Sequence, residues 1–150
     1  MNVNHKLKKI EYIVDSLISE YKTRNPFELA HKMNINISLL DFDNDLLAFS
    51  SKNSNYDNGT IYINKHVGNY AAKILCAHEI GHMIMHKSET NLFDKGIEPI
   101  KEFEANYFTV CLVDTLAQTI PSKALVSVEA FNDHIDKRIR YIAHSFKTGG

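Results

Sequence analysis

The residues His78-Glu79-Ile80-Gly81-His82 form the pattern HExxH. On a helix, positions i and i+4 share a face, so both imidazoles can reach one metal ion at about 2.0–2.1 Å. Glu79 lies about 100° around the helix from His78, beside such an ion and outside its ligand set. There it can accept a proton from a water whose pKa the metal has depressed toward about 7. Two imidazoles are one ligand short of a catalytic zinc site, which takes three protein ligands and leaves a position for water. His86 is a further four residues on, but it stands about 12 Å from His78 along the helix axis. The three rings cannot share an ion, so His86 is expected outside the ligand set or on the surface. The extended pattern HExxHxxGxxH also fails, because Met85 and Ser88 occupy its Gly and final His positions.

A carboxylate is the other common third ligand, and the stretch Glu102-Phe103-Glu104-Ala105-Asn106 supplies two on an expected helix. They lie about 200° apart around that helix, so only one can face the metal. Glu102 shares its face with Asn106, whose amide can hydrogen-bond the second nitrogen of a ligating histidine. Glu104 shares its face with the apolar Phe108 and Cys111. Geometry therefore favours Glu102.

These segments must be positioned by the rest of the chain. Ile10, Ile13, Val14, Leu17, Ile18 and Tyr21 lay one apolar stripe along a helix over about residues 5–22. Asn25-Pro26-Phe27-Glu28 reads as an N-cap, a first-turn proline and a capping-box glutamate, opening a short helix that ends near Met33-Asn34. Alternation from Ile35 to Phe42, an apolar run Leu46–Phe49 and the β-prone Thr60-Ile61-Tyr62-Ile63 predict a small, mostly antiparallel sheet. The Asn58-Gly59 step suits a turn with positive φ. The motif helix runs from Asn69 to about His86. A polar connection, Lys87 to Gly96, leads to the helix holding Phe103, Tyr107, Val110 and Cys111. A last amphipathic helix, with Ser127 as a candidate cap, carries Val128, Phe131, Ile135, Ile139, Ile142 and Phe146. Helices, then sheet, then helices give an α+β class.

Composition narrows the function further. With 150 residues, 44% of them hydrophobic, the chain is expected to form a single domain over residues 1–150. Its motif-bearing core covers about 8–112 and a C-terminal helical extension about 122–147. A net charge of −1 gives no electrostatic footprint for nucleic acid. Leu29 to Ile35 resembles the opening of a helix-turn-helix, but a strand follows where a recognition helix would stand. Two distant cysteines, Cys76 and Cys111, and a polar N-terminus point to a reducing, cytoplasmic setting without membrane contact. Cys76, two residues before His78, faces the other side of the helix and reads as a core filler. Tyr107, His66, His134 and His144 each have the chemistry to stabilise a tetrahedral intermediate, and spacing does not choose among them.

Thr60–Asn64, the helix with Ala77-His78-Glu79-Ile80-Gly81-His82 and His86, and Glu102-Phe103-Glu104-Ala105-Asn106-Tyr107-Phe108 together resemble the ImmA/IrrE family of zinc metallopeptidases. Asn25 to Ala30 looks like that family's lead-in to its sheet. The resemblance covers about residues 8–112 and lapses after Phe108, where Thr109 to Thr115 replace the usual small-residue and Leu-Leu-Met-Pro run. It implies a zincin-like fold, Zn2+ as cofactor, and the first glutamate of the ExEAN pattern, Glu102, as third ligand. It also implies a protein substrate, a helix-turn-helix repressor of a phage, mobile element or stress response, inactivated by cleavage. The competing expectation is a catalytically weak zinc-fold module that binds a repressor or serves in a toxin–antitoxin pair.

Overall fold

Asn25 opens the second helix as its side chain predicts: Oδ1 accepts the Phe27 N–H at 2.9 Å, and Pro26 occupies the first turn, where a missing donor costs nothing. The computed structural model describes residues 3–42, 45–52, 58–86, 91–92, 98–118, 120 and 127–145. In chain order the elements are α1 (Val3–Tyr21), α2 (Pro26–Lys32), β1 (Asn36–Leu40), β2 (Ala48–Ser51), β3 (Thr60–Asn64) and α3 (Asn69–Met85). These are followed by β4 (Asn91–Leu92), α4 (Pro99–Leu112), α5 (Asp114–Ala117) and α6 (Val128–Ser145). After α2 the backbone reverses at Asn34, φ 60°, a conformation that asparagine tolerates, and passes directly into β1. The helix-turn-helix likeness of Leu29 to Ile35 ends there, in a strand.

The sheet has the order β1-β3-β2-β4. β2 pairs antiparallel with β3 and with β4, whereas β1 pairs parallel with β3, so the sheet is mixed with antiparallel pairing in the majority. Neither β4 nor α5 was expected from the sequence, since two and four residues give too short a window for periodicity. β3 is central, and its Ile61 and Ile63 stand opposite Ser50 and Ala48 of β2. All four are buried on one face. On the other face Phe49 and Tyr62 stack with centroids 4.7 Å apart. Gly59, at the start of β3, has the positive φ its turn required (112°), and a Cβ there would collide with the Met83 methyl.

α3 is buried from Ala71 to His82 apart from Lys73, which marks a helix enclosed on nearly every side. The sheet, α2, α4 and α6 surround it. α6 buries the expected stripe, Phe131, Ile135, Ile139 and Ile142, and the Ser127 hydroxyl accepts the Ala130 N–H at 3.0 Å as its cap. Phe146 lies outside the described residues. Cys76 is fully buried in the core, as a filler should be. Among the described residues no helix is long and apolar enough to cross a membrane.

The contact that sets the site is between α3 and α4. A Cβ on Gly81 would lie 3.0–3.2 Å from Cδ1, Cγ and Cβ of Phe108, which is itself fully buried. Because the encroached atoms include the Cβ of Phe108, ring rotation cannot relieve the conflict and the helices must separate. Gly81→Ala should gain about 1 kcal/mol of helix propensity. Overpacking should take back roughly 1–3 kcal/mol. The expected outcome is a urea midpoint shifted to lower concentration, corresponding to a net loss of order 1 kcal/mol; an unchanged or raised midpoint would mean that α4 yields freely.

Candidate metal centre

The close approach at Gly81 lays the first turns of α4 across the motif turns of α3. His78 and His82 project from α3 toward α4 with ring centroids 4.8 Å apart, nearly perpendicular at 82°. Glu102, in the first turn of α4, places one oxygen, Oε1, 3.0 Å from Nε2 of His78 and 3.1 Å from Nε2 of His82. The ligand-type atoms of these three residues all lie within 4.8 Å of one another. The two rings are completely buried and the Glu102 side chain is 19% exposed. Two imidazole nitrogens and one carboxylate oxygen converging on one point form a donor set that can hold a divalent metal.

Electrostatics express the same convergence. Burial alone would raise the Glu102 carboxyl, but the His78 and His82 rings outweigh it and hold the group down at about 2. Burial pushes His82 down to about 4, against the opposing pull of Glu102. The His78 ring is likewise disfavoured as a cation by burial, yet Glu102 and Glu79 beside it carry the balance upward. Glu79 is completely buried one position along the helix. Burial lifts its carboxyl to about 7, even though His78 and the hydroxyl of Ser50 both favour the anion. A carboxylate poised near neutrality beside a metal-binding cluster is chemically equipped to take and return a proton.

Asn106, one turn beyond Glu102, is buried. Its Nδ2 donates to Oδ1 of Asn132 on α6 at 2.9 Å, and Asn132 in turn donates to the carbonyl of Pro99 at the start of α4 at 3.0 Å. Asn106 also lies close enough to the His78 ring to favour its charged form, a smaller influence than Glu102 or Glu79. Glu104 does not sit simply against Phe108 and Cys111. Its carboxylate meets Lys6 of α1 and His86 at the end of α3.

Of the four residues with chemistry to spare, Tyr107 donates to Glu11 at 3.0 Å and His66 pairs with Asp41 at 2.8 Å. Ser50 escaped the sequence reading altogether. It is an inward-facing polar residue on β2, but it follows the apolar run ending at Phe49 and so reads as the start of a polar loop. The usable signal was alternation, Ala48 in, Phe49 out, Ser50 in.

The geometry predicts a steep order of effects on metal binding. Glu102→Ala and His82→Ala should weaken zinc by orders of magnitude in a competitive chelator titration. Asn106→Ala should cost about 10–100-fold, the range for groups that orient a ligand. If Glu102→Ala retained wild-type affinity, the carboxylate would not belong to the donor set.

A family model, Peptidase_M78, described as the IrrE N-terminal-like domain, matches residues 30–148. The match continues past Phe108 and takes in α6. The uncharacterized immunity region protein 2 of Bacillus phage phi105 is 34% identical over 110 residues, covering 69% of this chain and 67% of that protein. No solved structure matches. The family model spans well over half of the chain, both α3 and α4 included, and the phage relative is matched over more than two thirds of it: the protein belongs to the IrrE N-terminal-like family of peptidases.

Proposed function

We propose that the protein is a zinc-dependent endopeptidase that cleaves a helix-turn-helix repressor, with His78, His82 and Glu102 as zinc ligands and Glu79 as the general base. The observation that carries this reading is the convergence of His78, His82 and Glu102 on one point, with the fully buried Glu79 carboxyl held near neutrality alongside. Zinc bound there supplies Lewis acidity, polarising the scissile carbonyl and acidifying the attacking water. Glu79 takes the proton from that water and delivers it to the leaving amine, so one carboxylate serves as base and then as acid. Ser50 steadies the anionic form of Glu79, and His78 does the same from the adjacent position. Asn106, its amide nitrogen held by Asn132, stands beside His78 and is placed to steady that ring.

The substrate class rests on the family and on the phage relative, whose name places it in an immunity region. Phage immunity is maintained by repression, so a peptidase of such a region finds its natural target in a repressor. The absence of a strong positive charge fits a protein substrate reached in the cytoplasm better than direct DNA contact.

The test is incubation of the zinc-loaded protein with helix-turn-helix repressors encoded beside it, followed by mass spectrometry of the products. Wild type should cut one repressor at a defined bond. Glu79→Gln should keep zinc and fold while losing at least about 10²–10⁴-fold in rate, since an amide cannot accept the proton. Equal cleavage by both proteins would refute Glu79 as base. Tight binding of a repressor without cleavage by either would replace the peptidase with a regulatory binding module.

A further inference from the structure

His82 turns Nε2 toward Glu102 and its other ring nitrogen in the opposite direction. That nitrogen, Nδ1, is 2.9 Å from Nδ1 of His86, one helical turn on. Nε2 of His86 is 3.2 Å from Oε1 of Glu104 on α4, and Oε2 of Glu104 accepts from Nζ of Lys6 on α1 at 3.0 Å. The His86 side chain is only 6% exposed, so these contacts are made inside the protein. His86 is also the C-cap of α3, and its backbone N–H bonds the His82 carbonyl at 2.6 Å. Main chain and ring therefore both fasten it to His82.

We propose that His86, Glu104 and Lys6 form a positioning chain that fixes the ring angle and tautomer of His82 for its metal and ties the metal centre to the N-terminal helix. The proposal rests on the metal site of the preceding section but not on its catalytic step. The donor count supports it. A neutral imidazole carries one N–H, and which nitrogen bears it follows from the surrounding network. With Nε2 of His82 given to a metal, the proton stays on Nδ1 and is donated to Nδ1 of His86. His86 then carries its own proton on Nε2 and donates it to the Glu104 carboxylate. The second oxygen of that carboxylate receives the Lys6 ammonium. Every link has one donor and one acceptor, with donation running from His82 through His86 to Glu104 and from Lys6 into the same carboxylate, whose negative charge is balanced by the ammonium. His86 cannot ligate the same ion as His78, but it can set the histidine that does, the role that carboxylates and carbonyls fill behind other metal-bound imidazoles.

Two substitutions at His86 separate positioning from bulk. His86→Leu keeps apolar volume and removes the acceptor, whereas His86→Asn keeps an acceptor oxygen close to the place of Nδ1. In competitive zinc titration of the purified full chain, His86→Leu should bind about 10–100-fold more weakly. His86→Asn should recover most of that loss. The visible d–d spectrum of the cobalt-substituted protein should shift in the Leu variant and return toward wild type in the Asn variant. Melting of the metal-free proteins should differ little between the two. Equal zinc affinity in wild type and both variants, or an equal loss in both with no rescue, would overturn the chain. Should His86→Leu fail to fold, Glu104→Ala decides, with a few-fold weakening and a cobalt shift expected and wild-type behaviour contradicting the proposal. Wild-type protein that binds no zinc would bring down the metal reading and this chain together. Tight wild-type binding with indifferent variants would refute the chain alone.

Discussion

Burying ionisable groups is the costliest thing this fold does, and the arrangement of its helices follows from how that cost is offset. His78, Glu79 and His82 have no solvent exposure, and Glu102 has little. An isolated charge in such a place would be neutralised or expelled. Here the groups answer one another: the two imidazoles hold the Glu102 carboxyl well down, and Glu102 offsets the cost that burial puts on a charge at His78. That mutual support requires α3 and α4 to approach closely, and the missing side chain at Gly81 makes room for Phe108 to seat the second helix. A metal cation can take over the same role, because the donor atoms already face one point.

The division of labour among the carboxylates is a matter of neighbours. Glu102 sits between two rings and stays ionised, a good ligand. Glu79, one residue along the same helix from His78, has fewer compensating partners, and burial dominates its carboxyl. Glu104, two residues from Glu102, faces Lys6 and His86 instead. Three glutamates within one small volume thus acquire three different characters, set by which helix face each occupies and what stands opposite. This divergence is the usual signature of a site that needs a ligand and a proton carrier at once.

Much of this was visible in the residues themselves. The four-residue spacing of His78 and His82 fixes their common face whatever the tertiary structure, and the two-residue offset of Glu102 and Glu104 forces a choice between them. The cap at Asn25, the stripe on α6 and the β3 segment were legible for the same reason: each signal is local and repeats at the period of its element. The less legible features depend on distant partners. The parallel pairing of β1 with β3 follows from chain routing that no strand pattern encodes. Ser50 looked like loop because its strand runs two residues past the apolar run. Lys6 and Glu104 are 98 positions apart, and only the packing of α1 on α4 brings them together.

The two motif histidines also have their neighbours in opposite directions, and this explains why the terminal helices belong to the candidate site. Behind His78 stand Asn106 and then Asn132 of α6, whose amide also bonds the Pro99 carbonyl at the first turn of α4. Behind His82 stand His86, Glu104 and then Lys6 of α1. A metal ligand set is only as rigid as the groups that stop its rings from turning, and an imidazole on a helix retains rotation about two bonds unless its far nitrogen is held. α4 alone could hold neither ring to a fixed external frame, since it carries Asn106 and Glu104 on side chains that themselves rotate. The outer helices remove that freedom: α6 engages the Asn106 amide nitrogen, and α1 supplies the cation that anchors Glu104. The helices flanking the motif-bearing pair therefore contribute more than apolar cover, because α1 ends the line of polar contacts that begins at His82 and α6 fastens the amide that stands beside His78.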